Sequence, residues 1–295
     1  MVKELRQKIE NGEFAITVEL EPPKGINTDK VISYANKLKG KVDCINITDC
    51  PMANMRMSPI AVSYVIRREA NLDAIFHLTC RDRNIIGLQS ELLGAAVLGV
   101  KNILVLTGDP PKIGDHPDAK GVFEVDSVGL VKIADTLNKG FDMSGNELNV
   151  APRFFIGVAA NPCAHNSNEE MEKLLKKIEA GAHFIQTQPV YEIETLQSFM
   201  DKIKPYNIPV LAGILPLKSY KMTQHIIEHI PGIEIPEWVE KRMEAGGKAE
   251  GIKLAKEFLE QVKTVAQGAH IMPVGNAEIV LDILDGEDEA LNLAI

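Results

Sequence analysis

Short apolar runs rich in β-formers recur along the chain at 14–20, 42–48, 73–79, 102–107, 153–159, 183–188, 208–214 and 269–274. Between most of them the apolar positions follow helical spacing. Met171, Leu174, Leu175 and Ile178 stand at i, i+3, i+4 and i+7. That stretch opens on Ser167-Asn168-Glu169-Glu170, a capping-box pattern, and closes at Gly181. Ile252, Ala255, Leu259 and Val262 form a second stripe. Eight alternating strand–helix units predict an α/β fold, a (β/α)8 TIM barrel closed by a parallel sheet, as a single domain over residues 1–295. The competing architecture is an open doubly wound sheet. Its dinucleotide-binding version would place GxGxxG after the first strand, and no such motif follows residue 20. Residues 140–149, GFDMSGNELN, read as a long loop before the fifth strand, not as a domain boundary.

In a barrel of this kind the reactive groups gather at the C-terminal ends of the strands. The apolar runs end there in polar or glycine-containing clusters: Glu19, Thr48-Asp49, His77 with Thr79, Gly108-Asp109, Ala159-Ala160-Asn161 with His165 beyond, Gln186-Thr187-Gln188, Gly213 and Gly275-Asn276. The stretch Leu104–Pro111, LVLTGDPP, shows the pattern best: a buried strand runs directly into a turn carrying one carboxylate. This set of carboxylates, amides and hydroxyls suits a large hydrogen-bonding heterocycle, with one or two carboxylates managing protons. His77, Asp82 and His165 do not form a recognisable metal motif, and no Ser/His/Asp arrangement stands out.

Charge and composition narrow the partners. The net charge is −9 and the 32 Lys and Arg form no basic stripe, which argues against nucleic acid and anionic membranes. The first residues lack the apolar core of a signal peptide, and no apolar run approaches the roughly 18–20 residues of a membrane span. The expectation is a cytoplasmic protein, and an oligomer. Cys44, Cys50, Cys80 and Cys163 form no CxxC pair and read as reduced thiols.

Glu19-Leu20-Glu21-Pro22-Pro23, His77-Leu78-Thr79-Cys80, Leu106-Thr107-Gly108-Asp109-Pro110-Pro111, Val158-Ala159-Ala160-Asn161-Pro162, Thr187-Gln188 and Gly213-Ile214-Leu215-Pro216 together resemble the methylenetetrahydrofolate reductases in order and spacing. The resemblance runs from about residue 13 to 285. It implies a flavin-dependent barrel that reduces 5,10-methylenetetrahydrofolate to 5-methyltetrahydrofolate, with FAD as cofactor and FMN as the alternative. It implies that Glu19 is the general acid, with a raised pKa, and that Asp109 lies near both flavin and folate. Thr48, His77, Thr79, Gly108, Ala159, Asn161 and His165 correspond to flavin-lining positions. Lys176 and Lys177 correspond to basic positions near the cofactor phosphates, and Gln188 to a contact with the folate pterin. The extra regulatory domain of eukaryotic members is not expected in a chain of this length.

The chain also departs from the common bacterial pattern. Met272 and Asn276 stand where a tyrosine and an arginine help hold folate, and Met222 and Ile226 replace a glutamine and a phenylalanine. Asn161 occupies a frequent tyrosine position, and Gln188 is followed by Pro189-Val190-Tyr191 instead of an aromatic run. The departures resemble the enzymes of anaerobes. They imply an apolar rim and an electron donor that is either NAD(P)H or an iron–sulfur partner subunit. The alternatives are a non-catalytic folate-binding subunit and a different barrel enzyme such as a lyase.

Overall fold

The computed structural model describes residues 4–230 and 232–285. Its eight strands are β1 (Ala15–Leu20), β2 (Cys44–Ile47), β3 (Asp73–Thr79), β4 (Asn102–Leu106), β5 (Phe155–Ala160), β6 (Phe184–Pro189), β7 (Val210–Ile214) and β8 (Gly268–Ile271). All neighbours pair in parallel, and β8 closes back on β1. The predicted TIM barrel is therefore the observed one.

Strand boundaries move where the backbone demands it. The run predicted over 269–274 leaves the sheet after Ile271; Met272 N–H gives its last ladder bond to Ile214 at 2.8 Å, and Pro273 has no N–H to continue. Helix α6 (Ser167–Glu179) begins as the pattern predicts, but its cap is Asn166, whose side chain accepts from Glu169 N–H. Glu170, the capping-box partner in the sequence pattern, instead accepts the Asn161 N–H at 2.9 Å and ties the end of β5 to the helix. Gly181 ends that turn in the left-handed region, at φ +117°.

Alternation along the strands divides the protein into two environments. Ile16, Val18, Ile45, Ile47, Ala269 and Ile271 point outward and pack beneath α2 (Asp29–Leu38), α9 (Glu237–Val262) and α10 (Glu278–Leu284). Phe76, Leu78, Ile103, Val105, Ile156 and Val158 do the same beneath α4 (Ile85–Val97) and α5 (Ser127–Asn138). The intervening residues point into the barrel. At its N-terminal end these are apolar: Cys44, Ile75, Leu104, Phe155, Phe184 and Leu211 form a plug, closed from below by Leu5 and Ile9 of α1 (Leu5–Glu10). Phe155 and Phe184 stack with centroids 4.8 Å apart. Above this plug the barrel interior turns polar. The 140–149 stretch is a compact loop around Asp142, whose side chain accepts from Ser144 and Asn146 N–H at 2.8 Å.

Candidate active site

A cavity of about 330 Å³ opens at the C-terminal ends of the strands. Its walls carry Glu19, Thr48, His77, Thr79, Gly108, Asp109, Ala159 and Gln188, eight residues from six strands or their ends. The other four residues selected from sequence lie elsewhere, and of these Lys176 is exposed on α6. Asn161 turns outward, accepting Cys163 N–H at 3.0 Å and donating to Gly232 O at 2.9 Å. His165 lies exposed beyond β5. Lys177 is buried and donates to Ala159 O at 2.7 Å, so its ammonium braces the strand end from behind.

Glu19 is the carboxylate at the centre of the wall, with its side chain 27% exposed. Its Oε2 faces Nε2 of His270 at 3.7 Å, and the other ring nitrogen of His270 is 2.9 Å from Thr17 Oγ1. Thr17 and His270 are paired across the β1–β8 ladder, and both point inward. His270 is fully buried and its Nε2 has no hydrogen-bond partner among the described residues, which leaves that nitrogen aimed at Glu19. Burial alone would push the Glu19 carboxyl up, yet His270, and behind it His77, outweigh burial and hold it below the ordinary carboxylate range. This reverses the raised pKa expected from sequence. The reason is a histidine that no strand-end motif contains.

His77 is buried, and loss of hydration pulls its pKa down to about 4. Its Nε2 lies 3.2 Å from the Asn46 amide nitrogen, which also donates to Gln186 Oε1 at 2.7 Å. An amide nitrogen only donates, so Nε2 of His77 accepts, as a neutral ring requires. Thr79 is fixed by Asp49, whose Oδ2 takes the Thr79 N–H and hydroxyl at 2.9 Å and Arg83 at 3.0 Å. Arg81, also on the wall and only 3% exposed, donates to Cys50 O at 3.2 Å and forks onto Asp82. Asp82 is thereby an ion-pair partner. Among the described residues no three His, Cys, Asp or Glu side chains gather as metal ligands.

Two loop features aim the remaining groups. Asp109 accepts the Met52 N–H at 3.1 Å. That bond depends on the connection from β2 to α3 (Pro59–Glu69), in which Cys50, Met52 and Ala53 all have positive φ. At β6 the register slips between Gln186 and Pro189. Thr187 Oγ1 takes Gly213 N–H and gives its own proton to Gln188 O, both at 2.8 Å. The irregularity turns Gln188 toward the mouth.

The apolar rim expected from Met222 and Ile226 is not where the sequence put it. Ile226 is buried and Met222 is half-buried, packed with Leu215, Leu217 and Met243 under α9. Tyr191 joins that cluster and donates its hydroxyl to Leu215 O at 2.9 Å. Exposed apolar side chains at this end include Ile26, Met52, Met55, Ile113, Phe123 and Val274, on the loops after β1, β2, β4 and β8. His270, Asn46, Gln186 and Arg81 are the wall and support residues that motif reading passed over. The signal for the first three is inward parity within an apolar strand.

Comparison with known proteins gives this cavity a context. The chain is 26% identical to methylenetetrahydrofolate reductase 2 of Schizosaccharomyces pombe over 91% of its own length and 44% of that relative. It thus spans less than half the length of the fission-yeast relatives it matches. It is 26% identical to the 5,10-methylenetetrahydrofolate reductase of Salmonella typhimurium, covering 77% of this chain and 73% of that one. Among solved structures, an uncharacterized protein from Clostridium thermocellum that binds two copies of 5-methyl-5,6,7,8-tetrahydrofolic acid has the same fold. Its TM-score is 0.64, with 21% identity over 97% of this chain and 99% of that one. The methylenetetrahydrofolate reductase family model matches residues 4–287, nearly the whole chain, and the chain belongs to that family.

Proposed function

We propose that this chain reduces 5,10-methylenetetrahydrofolate to 5-methyltetrahydrofolate at the barrel mouth, with a flavin bound against β2–β5. The observation that carries the reading is Glu19, a carboxyl on the cavity wall backed by an otherwise unpartnered His270 nitrogen. The naming of the family's members and the folate bound by the similar barrel support the choice of substrate.

The residues present fit a flavin. Thr48 Oγ1 is buried on the wall without a hydrogen-bond partner among the described residues. Gly108 and Ala159 keep that wall low, and a Cβ at Gly108 would stand 2.9 Å from Thr79 Cβ. Thr48, His77, Thr79, Gly108 and Ala159 would hold the ring system of FAD, or of FMN. Asn161, His165 and Lys177 lie outward of it, and Lys177 would have to leave Ala159 O to meet a phosphate. A bound flavin supplies hydride chemistry.

The chain's own part is proton handling and orientation. Opening the folate imidazolidine ring is assisted by a proton at N10, and Glu19 is the donor. In the open cavity His270 holds Glu19 low. A heterocycle that displaces water from the mouth strengthens desolvation and moves the carboxyl upward, so the acid is charged with its proton as the site fills. Asp109 exchanges its bond to Met52 N–H for the donor edge of the pterin, and Gln188 supplies a complementary amide. The donor in this reading is a redox partner protein. Tyr191 is withdrawn into the α9 cluster, whereas Ile26, Met52 and Ile113 stand exposed around the mouth.

The test is direct. The purified protein should be yellow and reduce methylenetetrahydrofolate, and Glu19→Gln should keep the flavin but lose roughly a hundredfold or more in turnover. A colourless protein that takes up no flavin overturns the flavin reading, and near-normal turnover of Glu19→Gln removes the acid. Anaerobic stopped-flow mixing with NADH should give slow bleaching. Bleaching at the turnover rate would establish a nicotinamide donor in place of the partner.

A further inference from the structure

A cavity of about 280 Å³ lies between α7 (Ile193–Ile203), α9 and the end of β7, and it shares no wall residue with the mouth. Three aromatic side chains line it, Tyr191, Trp238 and Phe258, in a chain that is only 5% aromatic. Trp238, the single tryptophan, is left 46% exposed. Three carboxylates line the same space, Glu192, Glu194 and Glu257, and no Lys, Arg or His does. Glu257 is paired with Arg242 at 2.7 Å, whereas Glu192 and Glu194 have no cationic partner among the described residues. The Arg242 guanidinium carbon sits 6.0 Å from the centre of the Trp238 ring, so that ring already attracts a cation of the chain itself. Arg242 is neutralised by Glu250 and Glu257, which leaves the two free carboxylates to set the charge of the cavity.

We propose that this cavity binds a small organic cation carrying a fully methylated ammonium group. Aromatic walls and nearby carboxylates both attract positive charge. The aliphatic walls then decide what kind. A primary ammonium brings three N–H donors. Side chains such as Leu217 and Leu254 offer no acceptor, and the Tyr191 hydroxyl already donates to Leu215 O at 2.9 Å. Burying unpaired donors there is costly. A fully methylated ammonium keeps the charge, has no N–H and presents methyl groups to the apolar surface. A zwitterion of similar size would set its own carboxylate against Glu192 and Glu194. The volume lies below the roughly 300–1,000 Å³ of pockets for drug-sized molecules, so the occupant is small.

The experiment titrates choline chloride into the purified full chain and follows tryptophan fluorescence, which reports on Trp238 alone. Sodium chloride at equal ionic strength is the control. Choline should give a saturable change and bind about tenfold more tightly than ethanolamine or glycine betaine. Calorimetry extends the test to variants. Trp238→Leu should abolish choline binding and Trp238→Phe should retain part of it, and Glu192→Gln with Glu194→Gln should weaken it about fivefold. Circular dichroism melts establish that the variants are folded. A choline response no different from sodium chloride, equal affinity for choline and ethanolamine, or undiminished binding in Trp238→Leu overturns the site. Because the mouth shares none of these walls, the result is independent of the folate reading.

Discussion

Nε2 of His270 faces Oε2 of Glu19 at 3.7 Å, while the opposite ring nitrogen is fixed 2.9 Å from Thr17 Oγ1. The threonine sets the ring, and the ring sets the carboxyl. His270→Gln removes the largest influence that lowers Glu19, so the Glu19 pKa should rise. A general acid works while protonated, so the alkaline limb of the pH–turnover profile should move to higher pH in the variant. An unmoved limb would separate His270 from Glu19, whatever happens to the rate.

Asp109 presents one carboxylate to the mouth from the turn after β4. Under the flavin reading, Asp109→Asn removes a negative charge that disfavours the anionic reduced cofactor. The midpoint potential of the bound flavin should rise and the reduced form should become a weaker donor to folate. Redox titration of wild type and variant decides this. An equal or lower potential in the variant contradicts the electrostatic argument.

Stability should fall in mild acid through His77. Its folded pKa of about 4 lies below the ordinary 6.5, so the unfolded chain binds the extra proton first. The His77 contribution is fully present above pH 6.5 and is lost as pH drops toward 4, on the order of 3 kcal/mol across the window. His183, at the other end of the barrel, is also lowered by burial and adds a slope of the same sign. Urea midpoints of wild type and His77→Gln between pH 6.5 and 4.5 should therefore converge as the pH falls, with the variant keeping a shallower slope. Parallel slopes would mean that His77 titrates normally.

Gly213 touches the irregular end of β6 from β7. A Cβ there would overlap the carbonyl oxygen of Thr187, a backbone atom with no rotamer to yield. Gly213→Ala should destabilise the barrel by about 1–3 kcal/mol. It should also weaken folate binding by displacing Gln188. A lowered urea midpoint with unchanged folate affinity would show that the strand shifts without moving the glutamine.

Much of the fold was legible because it depends on short-range pattern. Each of the eight apolar runs overlaps one strand of the barrel to within a residue or two at most ends, and eight motif residues meet on one cavity wall. His270, Asn46 and Gln186 were legible in principle: each is a polar residue at inward parity within an apolar strand. Motif reading looks to strand ends and passes over them. The bond from Met52 to Asp109 was not legible. It depends on consecutive left-handed residues placing one N–H against a turn 57 positions away. Asn161, His165 and Lys177 follow β5 closely in sequence, but the outward path of the chain after that strand carries them away from the mouth.

The stacked pair Phe155 and Phe184, with α1 beneath it, gives the molecule two ends with different histories open to them. Inward residues below the pair interlock, so one change there calls for another. Inward residues above it meet polar partners or open space, so a change at the mouth leaves the apolar plug untouched. Such a chain can wander in what it recognises while its framework stays put, and replacements such as Met272 and Asn276 at the rim are the kind of drift this separation permits.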